Sequence, residues 1–266
     1  MIYYRHYELE KLNSFRIKST AEEIFFPQTD KEFIKLLDDK AIPIISNGTN
    51  IILREHIDKI ICLRHMPKKI AKRGEDEYTV TANTNLSEFV SSVMKDGHGG
   101  CEGLYGIPGT VGGAIYMNAS SADCISDYLV CAKVFNKKHG IKTLCRNEMH
   151  LSRRSSIFQK GESYILSARF NFEGTKFNRH EYKKNIVRRK LFPKNPNSGG
   201  IFKEWHKLIP FSKEIRRLGT DKIGISEKFI NIIYNKGEAS YSDILRYTNN
   251  VMAIASEKMV LEVVIL

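Results

Sequence analysis

Five glycines punctuate a run of small and β-branched residues, Gly103-Leu104-Tyr105-Gly106-Ile107-Pro108-Gly109-Thr110-Val111-Gly112-Gly113-Ala114-Ile115-Tyr116-Met117-Asn118-Ala119. Backbone without Cβ atoms lets a ligand approach closely and exposes amide N–H groups, which is what a diphosphate requires. The spacing matches neither G-x-G-x-x-G nor a phosphate loop ending in G-K-[ST], so on spacing alone the segment is equally a set of turns. A second signal is charge: Arg179, Lys183, Lys184, Arg188, Arg189, Lys190 and Lys194 fall within sixteen positions. On a helix such a run is either a solvated face or an anion-binding one. The five cysteines, Cys62, Cys101, Cys124, Cys131 and Cys145, are odd in number and contain no C-x-x-C pair. That argues against both a disulfide framework and a zinc site.

The formal net charge of +12 draws in anionic ligands. Nucleotides, nucleotide sugars and nucleic acids all qualify, but no helix-turn-helix, RNP-like or zinc signature accompanies the charge, so a specific nucleic-acid partner is not expected. A length of 266 residues corresponds to one large or two modest domains. With 42% hydrophobic and 27% charged residues the composition is that of a folded globular chain. The longest apolar runs stop short of the roughly 18 residues that a membrane span needs, and Met1-Ile2-Tyr3-Tyr4-Arg5-His6 lacks a signal-peptide apolar block. The expectation is a cytoplasmic protein with no membrane partner.

These candidates must be positioned by alternating elements. Apolar Phe33, Ile34, Leu36 and Leu37 predict an amphipathic helix over Asp30 to Asp39, capped by Thr29 or Asp30. Ile42 to Ile45 and Ile51 to Leu53 read as strands around the polar turn Ser46-Asn47-Gly48-Thr49-Asn50. Tyr78 to Ala82 is strand-like, and Ser87 to Lys95 helical with a serine or asparagine cap. Alternating β-branched and aromatic residues predict strands over Leu129 to Phe135 and Ser163 to Phe172. A helix over Ser242 to Ile254 and a closing apolar strand over Val260 to Leu266 complete the pattern. No internal repeat or low-complexity linker is present.

The string from Gly106 to Ala119 closely resembles G-I-P-G-T-V-G-G-A-x-x-M-N-A, the flavin-binding signature of the UDP-N-acetylenolpyruvoylglucosamine reductase (MurB) family. Other segments resemble that family in the same order. Asn13-Ser14-Phe15 is similar to its N-T-F, Ser46-Asn47-Gly48-Thr49-Asn50 to G-G-G-S-N, and Arg154-Ser155-Ser156-Ile157-Phe158 to R-x-S-x-F. Gly199-Gly200-Ile201-Phe202-Lys203 resembles G-S-x-F-K, Ser226 to Gly237 resembles S-E-K-H-x-N-F-I-x-N-x-G, and Leu261-Glu262-Val263 the terminal E-V. The resemblance covers nearly the whole chain, in the variant lacking an extra tyrosine-bearing loop. It implies an α+β fold: a two-lobed FAD-binding domain of the MurB and vanillyl-alcohol-oxidase type over residues 1–172, with lobes at about 1–70 and 71–172, and an α/β substrate domain over 173–266.

By the same resemblance, NADPH reduces FAD and hydride then passes to the enolpyruvyl double bond of a UDP-sugar, in peptidoglycan synthesis, by a monomer. Asn47, Gly48, Thr49, Asn50, Gly106, Ile107, Pro108, Gly109, Thr110, Gly112, Gly113 and Ala114 would bind the cofactor, and Lys203, Lys228 and Asn231 the substrate. Arg154 matches the arginine that holds the developing carboxylate charge and Glu262 the catalytic glutamate, in an apolar context expected to favour its protonated form. Where the family has its proton-donating serine, this chain has Gly200; Ser198 is a substitute donor if the loop moves. Glu204 and Phe229 replace an asparagine and a histidine, and Lys18, Ser19, Ser46 and Asn47 replace glycines. Two alternatives therefore stay open: a flavoprotein of this type acting on another nucleotide sugar, and a non-catalytic nucleotide-binding homologue.

Overall fold

A computed structural model describes residues 1–37, 42–256 and 259–266. The chain divides into two compact units, one of Met1–Ile2, Phe25–Ser46 and Ile61–Lys190, the other of Tyr3–Ile24, Asn47–Ile60 and Leu191–Leu266. Residues 173–190 fold with the first unit, and residues 3–24 and 47–60 fold with the C-terminal one.

In chain order the strands are β1 (Ile2–Glu8), β2 (Thr20–Phe26), β3 (Ile44–Ile45), β4 (Ile51–Ile52), β5 (His56–Cys62), β6 (Ile70–Arg73), β7 (Glu77–Thr81), β8 (Ser120–Ser121), β9 (Asp123–Cys124), β10 (Leu129–Asn136), β11 (Gly140–Cys145), β12 (Ser163–Asn171), β13 (Ile223–Ile225), β14 (Ile233–Asn235) and β15 (Val264–Ile265). The helices are α1 (Asp30–Leu36), α2 (Leu86–Lys95), α3 (Val111–Tyr116), α4 (Arg179–Lys190), α5 (Ser212–Arg216) and α6 (Tyr241–Ala255).

The first unit is built on an antiparallel sheet in the order β11-β10-β12-β7-β6. Its inward residues Tyr78, Val80, Ala132, Val134, Ala168 and Phe170 pack against Phe89, Val90 and Val93 of α2. The buried positions Leu86, Phe89, Val90 and Val93 follow the three-and-four spacing of an amphipathic helix, and Asn85 Oδ1 accepts from the Ser87 and Glu88 amides at 2.9 and 3.4 Å to start it. Thr29 caps α1 in the same way by accepting from Glu32 N at 3.2 Å. That helix ends with Leu37 as its C-cap, and the expected continuation to Asp39 falls outside the described residues.

The second unit places β1, β2 and β5 side by side and pairs β13 with β14. Phe15, Ile17, Ile52, Ile201, Phe202, Ile233, Tyr247 and Val251 form its core. A Ser240–Asp243 capping box starts α6. The expected strand over Val260 to Leu266 is shorter than the apolar pattern predicts. Lys203 N donates to Val260 O at 2.9 Å and Glu262 N to Ile201 O at 2.7 Å, so these residues pair with the 201–203 loop. Only Val264 and Ile265 form a strand, parallel to Ile51 and Ile52 of β4. Ile42 and Pro43 likewise stay outside β3.

Candidate functional site

In the first unit the glycine-rich segment runs into α3. Thr110 accepts from Gly113 N at 3.3 Å as the N-cap, Gly112 N donates to Ala82 O at 2.8 Å, and Gly106 N donates to Ser87 Oγ at 3.0 Å. Gly103 N donates to Asp123 Oδ2 at 2.9 Å, so four of the five glycine amides in the segment are committed to hydrogen bonds within the protein. A β-carbon at Gly112 would come within 2.8 Å of Ala82 Cβ, so this glycine serves close packing of α3 on the strand end.

Arg154 occupies the second corner of a two-residue turn closed by Ser152 N to Ser155 O and Ser155 N to Ser152 O, both at 3.1 Å. Its φ of +54° is left-handed, a conformation costing a residue of this size about 1–2 kcal/mol. The turn is fastened to the end of α3. Asn118 Nδ2 donates to Ser152 O at 2.9 Å, Ser156 Oγ to Tyr116 O at 2.7 Å, and Gln159 Nε2 to both Tyr116 O at 2.9 Å and Arg154 O at 3.2 Å. The Arg154 guanidinium reaches the oxygens of Ser120 at 3.3 and 3.4 Å.

Two residues of the basic run join this arrangement. Arg188 Nη1 donates to Ser121 Oγ at 2.9 Å, on the residue after the one that Arg154 holds. Arg189 packs its stem near Gly106, whose added β-carbon would lie 3.5 Å from Arg189 Cγ. Burial, and then the neighbouring charges of Arg188 and Arg154, pull the Arg189 guanidinium down to about 10. Arg179, Lys183, Lys184, Lys190 and Lys194 are exposed and form the solvated part of the run. Composition gave no reason to single out Asn185 or Ser120. Yet Asn185 Nδ2 docks α4 by donating to Glu102 O at 3.0 Å and Tyr105 O at 2.7 Å, and Ser120 anchors Arg154.

In the second unit the loop at Gly200 meets Glu262 and Asn231. A β-carbon at Gly200 would stand 3.6 Å from Glu262 Oε2 and 2.7 Å from Asn231 Nδ2. Asn231, expected as a substrate contact, clamps Phe202: its Oδ1 accepts from Phe202 N and its Nδ2 donates to Phe202 O, both at 2.9 Å. Glu262 is half-buried, and Asn50 Nδ2 donates to its backbone oxygen at 3.0 Å. Ser198 is buried with its hydroxyl shielded from solvent and without a hydrogen-bond partner among the described residues. Lys203 is half-buried and Lys228 exposed. Glu204 Oε2 accepts from Val260 N at 3.3 Å, and the Phe229 ring packs 4.7 Å from that of Phe192. The replacements at these two positions are thus absorbed into local packing.

No family model matches the chain. Among curated proteins, the UDP-N-acetylenolpyruvoylglucosamine reductase of Thermotoga maritima is 31% identical over 237 residues, 85% of this chain and 82% of that protein. The chain belongs to the UDP-N-acetylenolpyruvoylglucosamine reductase family. The reductase of Fusobacterium nucleatum is 29% identical over 248 residues, 90% of this chain and 88% of its own. The crystal structure of the family's reductase from Thermus caldophilus superposes with a TM-score of 0.83 over 98% of both chains at 22% identity, which bears out the expected family fold.

Proposed function

We propose that this chain reduces the enolpyruvyl double bond of UDP-N-acetylglucosamine enolpyruvate to give UDP-N-acetylmuramate, with NADPH as hydride source and FAD as cofactor, in peptidoglycan synthesis. The observation that carries the reading is the fastening of the Arg154 turn to α3 by Asn118, Ser156 and Gln159. It supports the reading by tying the turn that carries Arg154 to the end of the segment whose sequence matches the family's flavin signature. The curated relatives bear this activity in their names.

The residues present fit FAD. Ser19 and Ser46 replace glycines, yet the Ser19 hydroxyl bonds to Arg54 O, and that of Ser46 bonds to Asn83 Oδ1 at 2.7 Å. Lys18 is exposed. Asn47, Gly48, Thr49, Asn50 and the segment from Gly106 to Ala114 would hold the cofactor. Bound FAD supplies the relay of hydride from NADPH to the substrate. Arg154 holds the negative charge that grows on the substrate carboxylate as hydride adds. Its planar guanidinium matches a carboxylate bidentately.

Addition across a double bond takes one hydride and one proton. With no side chain at Gly200 and the Ser198 hydroxyl enclosed, the proton falls to Glu262, whose Oε2 would lie 3.6 Å from a β-carbon at position 200. Solvent restores that proton after each turnover. Lys203 and Lys228 supply charge for the substrate diphosphate. In this reading residues 1–172 carry the flavin-binding role and residues 173–266 the substrate-binding role, a division of labour that cuts across the compact units. The enzyme works as a cytoplasmic monomer; among the described residues no helix is long and apolar enough to cross a membrane.

The test is the visible spectrum of the purified protein, with NADPH and then enolpyruvyl-UDP-N-acetylglucosamine added. Flavin that bleaches with NADPH and recovers with the substrate supports the reading. Bleaching without recovery assigns another acceptor, and failure to hold FAD on reconstitution removes the flavoenzyme reading altogether.

A further inference from the structure

Cys131 and Cys145 are fourteen positions apart in sequence, with no motif spacing to connect them, yet β10 and β11 bring them directly opposite each other. The register runs unbroken from this pair to Asn136↔Gly140. Lys137 N donates to Glu162 O on the β12 side at 3.1 Å. Peptide groups alternate along a strand, so residues 135, 133 and 131 also turn theirs toward β12. Cys131 and Cys145 therefore form a non-hydrogen-bonded pair across β10 and β11. At such positions α-carbons lie about 4.5 Å apart, with side chains on one face, inside the range that a disulfide spans without backbone movement.

The next pair, Ala132 and Leu144, is buried in the core, which puts the two thiols on the outer face of the sheet. Cys131 is half-buried and Cys145 exposed. Cys62 and Cys101 are both buried, and burial pushes their thiols up, away from reactivity. Cys124 is half-buried.

We propose that Cys131 and Cys145 are a reversible dithiol–disulfide site whose oxidant is a hydroperoxide. One cysteine thiolate attacks the peroxide O–O bond, becoming a sulfenic acid as the hydroperoxide is reduced to water or an alcohol. The second thiol then attacks the sulfenic sulfur, forming the S–S bond and releasing water. Two thiols and one hydroperoxide thus give one disulfide, one alcohol or water, and one further water. A small-molecule dithiol reverses the reaction by exchange. The closed form ties the end of β11, from which the chain leads through residues 146–149 to the Arg154 turn, to its neighbour strand. A transient bridge of this kind suits a reducing compartment, where a permanent structural one does not. The site stands whether or not the reductase reading does.

The test is exposure of the full-length reduced protein to hydrogen peroxide, followed by alkylation and peptide mass analysis. The expected result is a fall from five to three alkylatable thiols, a peptide pair linking residues 131 and 145, and full reversal by dithiothreitol. Cys145→Ser should stop the reaction at a sulfenic acid on Cys131 that dimedone traps, and oxidation should raise the wild-type melting temperature by roughly 5 °C. Five unchanged thiols, a link through Cys124, or a bridge between two molecules would overturn the proposal. Cys131 and Cys145 lie outside the core, so their serine variants fold and the readout stays available.

Discussion

Gly48 and Gly200 sit in two loops of the same compact unit, and both stand in segments with counterparts in the family motifs. They are glycines for opposite reasons. Gly48 has a φ of +63°, and a β-carbon there would overlap the carbonyl oxygen of Leu12. Ser14 N also donates to Gly48 O at 2.9 Å, so backbone meets backbone between the N-terminal segment and this loop. Gly200 has ordinary backbone geometry, and the nearest atom to an added side chain is the end of the Asn231 amide. The fold dictates the first glycine. At the second, the three atoms nearest an added β-carbon all belong to the side chains of Asn231 and Glu262, so the backbone does not dictate it.

The largest effect that would break this contrast is at Gly48. Gly48→Ala is expected to lower stability by about 3 kcal/mol or more, read by urea denaturation; an unchanged midpoint would mean the loop is not backbone-locked. Next come the chemical positions. Glu262→Gln should reduce turnover by roughly 10²-fold with little change in KM, and normal turnover would relieve Glu262 of the proton transfer. Arg154→Gly should lower turnover by about 10²-fold or more while stability stays within about 1 kcal/mol, because relief of the left-handed strain offsets the lost bonds to Ser120. A large loss of stability would instead make the turn a structural requirement.

Gly200→Ser sharpens the contrast further. Its β-carbon displaces an amide that makes two bonds to Phe202, so a cost of about 1–3 kcal/mol is expected, with turnover rising where proton delivery limits the rate. The smallest effect is at Asp243. Hydrogen bonds from the Ser240 side chain, and then its backbone, hold that carboxyl below its usual range. A lowered folded-state value gives stability that is complete above about pH 4 and is lost as the pH falls through it. Asp243→Asn should cost about 1 kcal/mol at pH 7, a difference from wild type that closes in acid unfolding as the pH falls through the lowered folded-state value.

Much of this was legible in the sequence where local pattern and packing agree. The helices at α2 and α6 and the strands β10 and β12 follow their apolar periodicity within a residue or two. What escaped was set by pairing partners far away in sequence. The residues from Val260 to Glu262 have the composition of a strand, but their amides meet a loop sixty residues earlier. The strands β1, β2 and β5 alternate too weakly to stand out from exposed polar segments. The glycine-rich string identified its family by exact residues, yet which of its amides bond within the protein is set by the fold. Ser120 and Asn185 have ordinary polar side chains whose importance comes from where α4 and the Arg154 turn land. The opposed cysteines follow from a hairpin register that no residue count reveals.

The order of the segments has a consequence for birth on the ribosome. Residues 61–190 emerge as one stretch and hold nearly all of the first unit, so its sheet can close while the remainder is still being made. The second unit draws on residues 3–24 and 47–60, which pair with each other but share its core with residues from 191–266. Those two early segments, carrying Phe15, Ile17 and Ile52 of its core, must wait through some hundred and thirty residues of synthesis, at about 5–20 residues per second, with their apolar faces unsheltered. The late closure of that core leaves these faces open to aggregation and to chaperones while the chain is still on the ribosome.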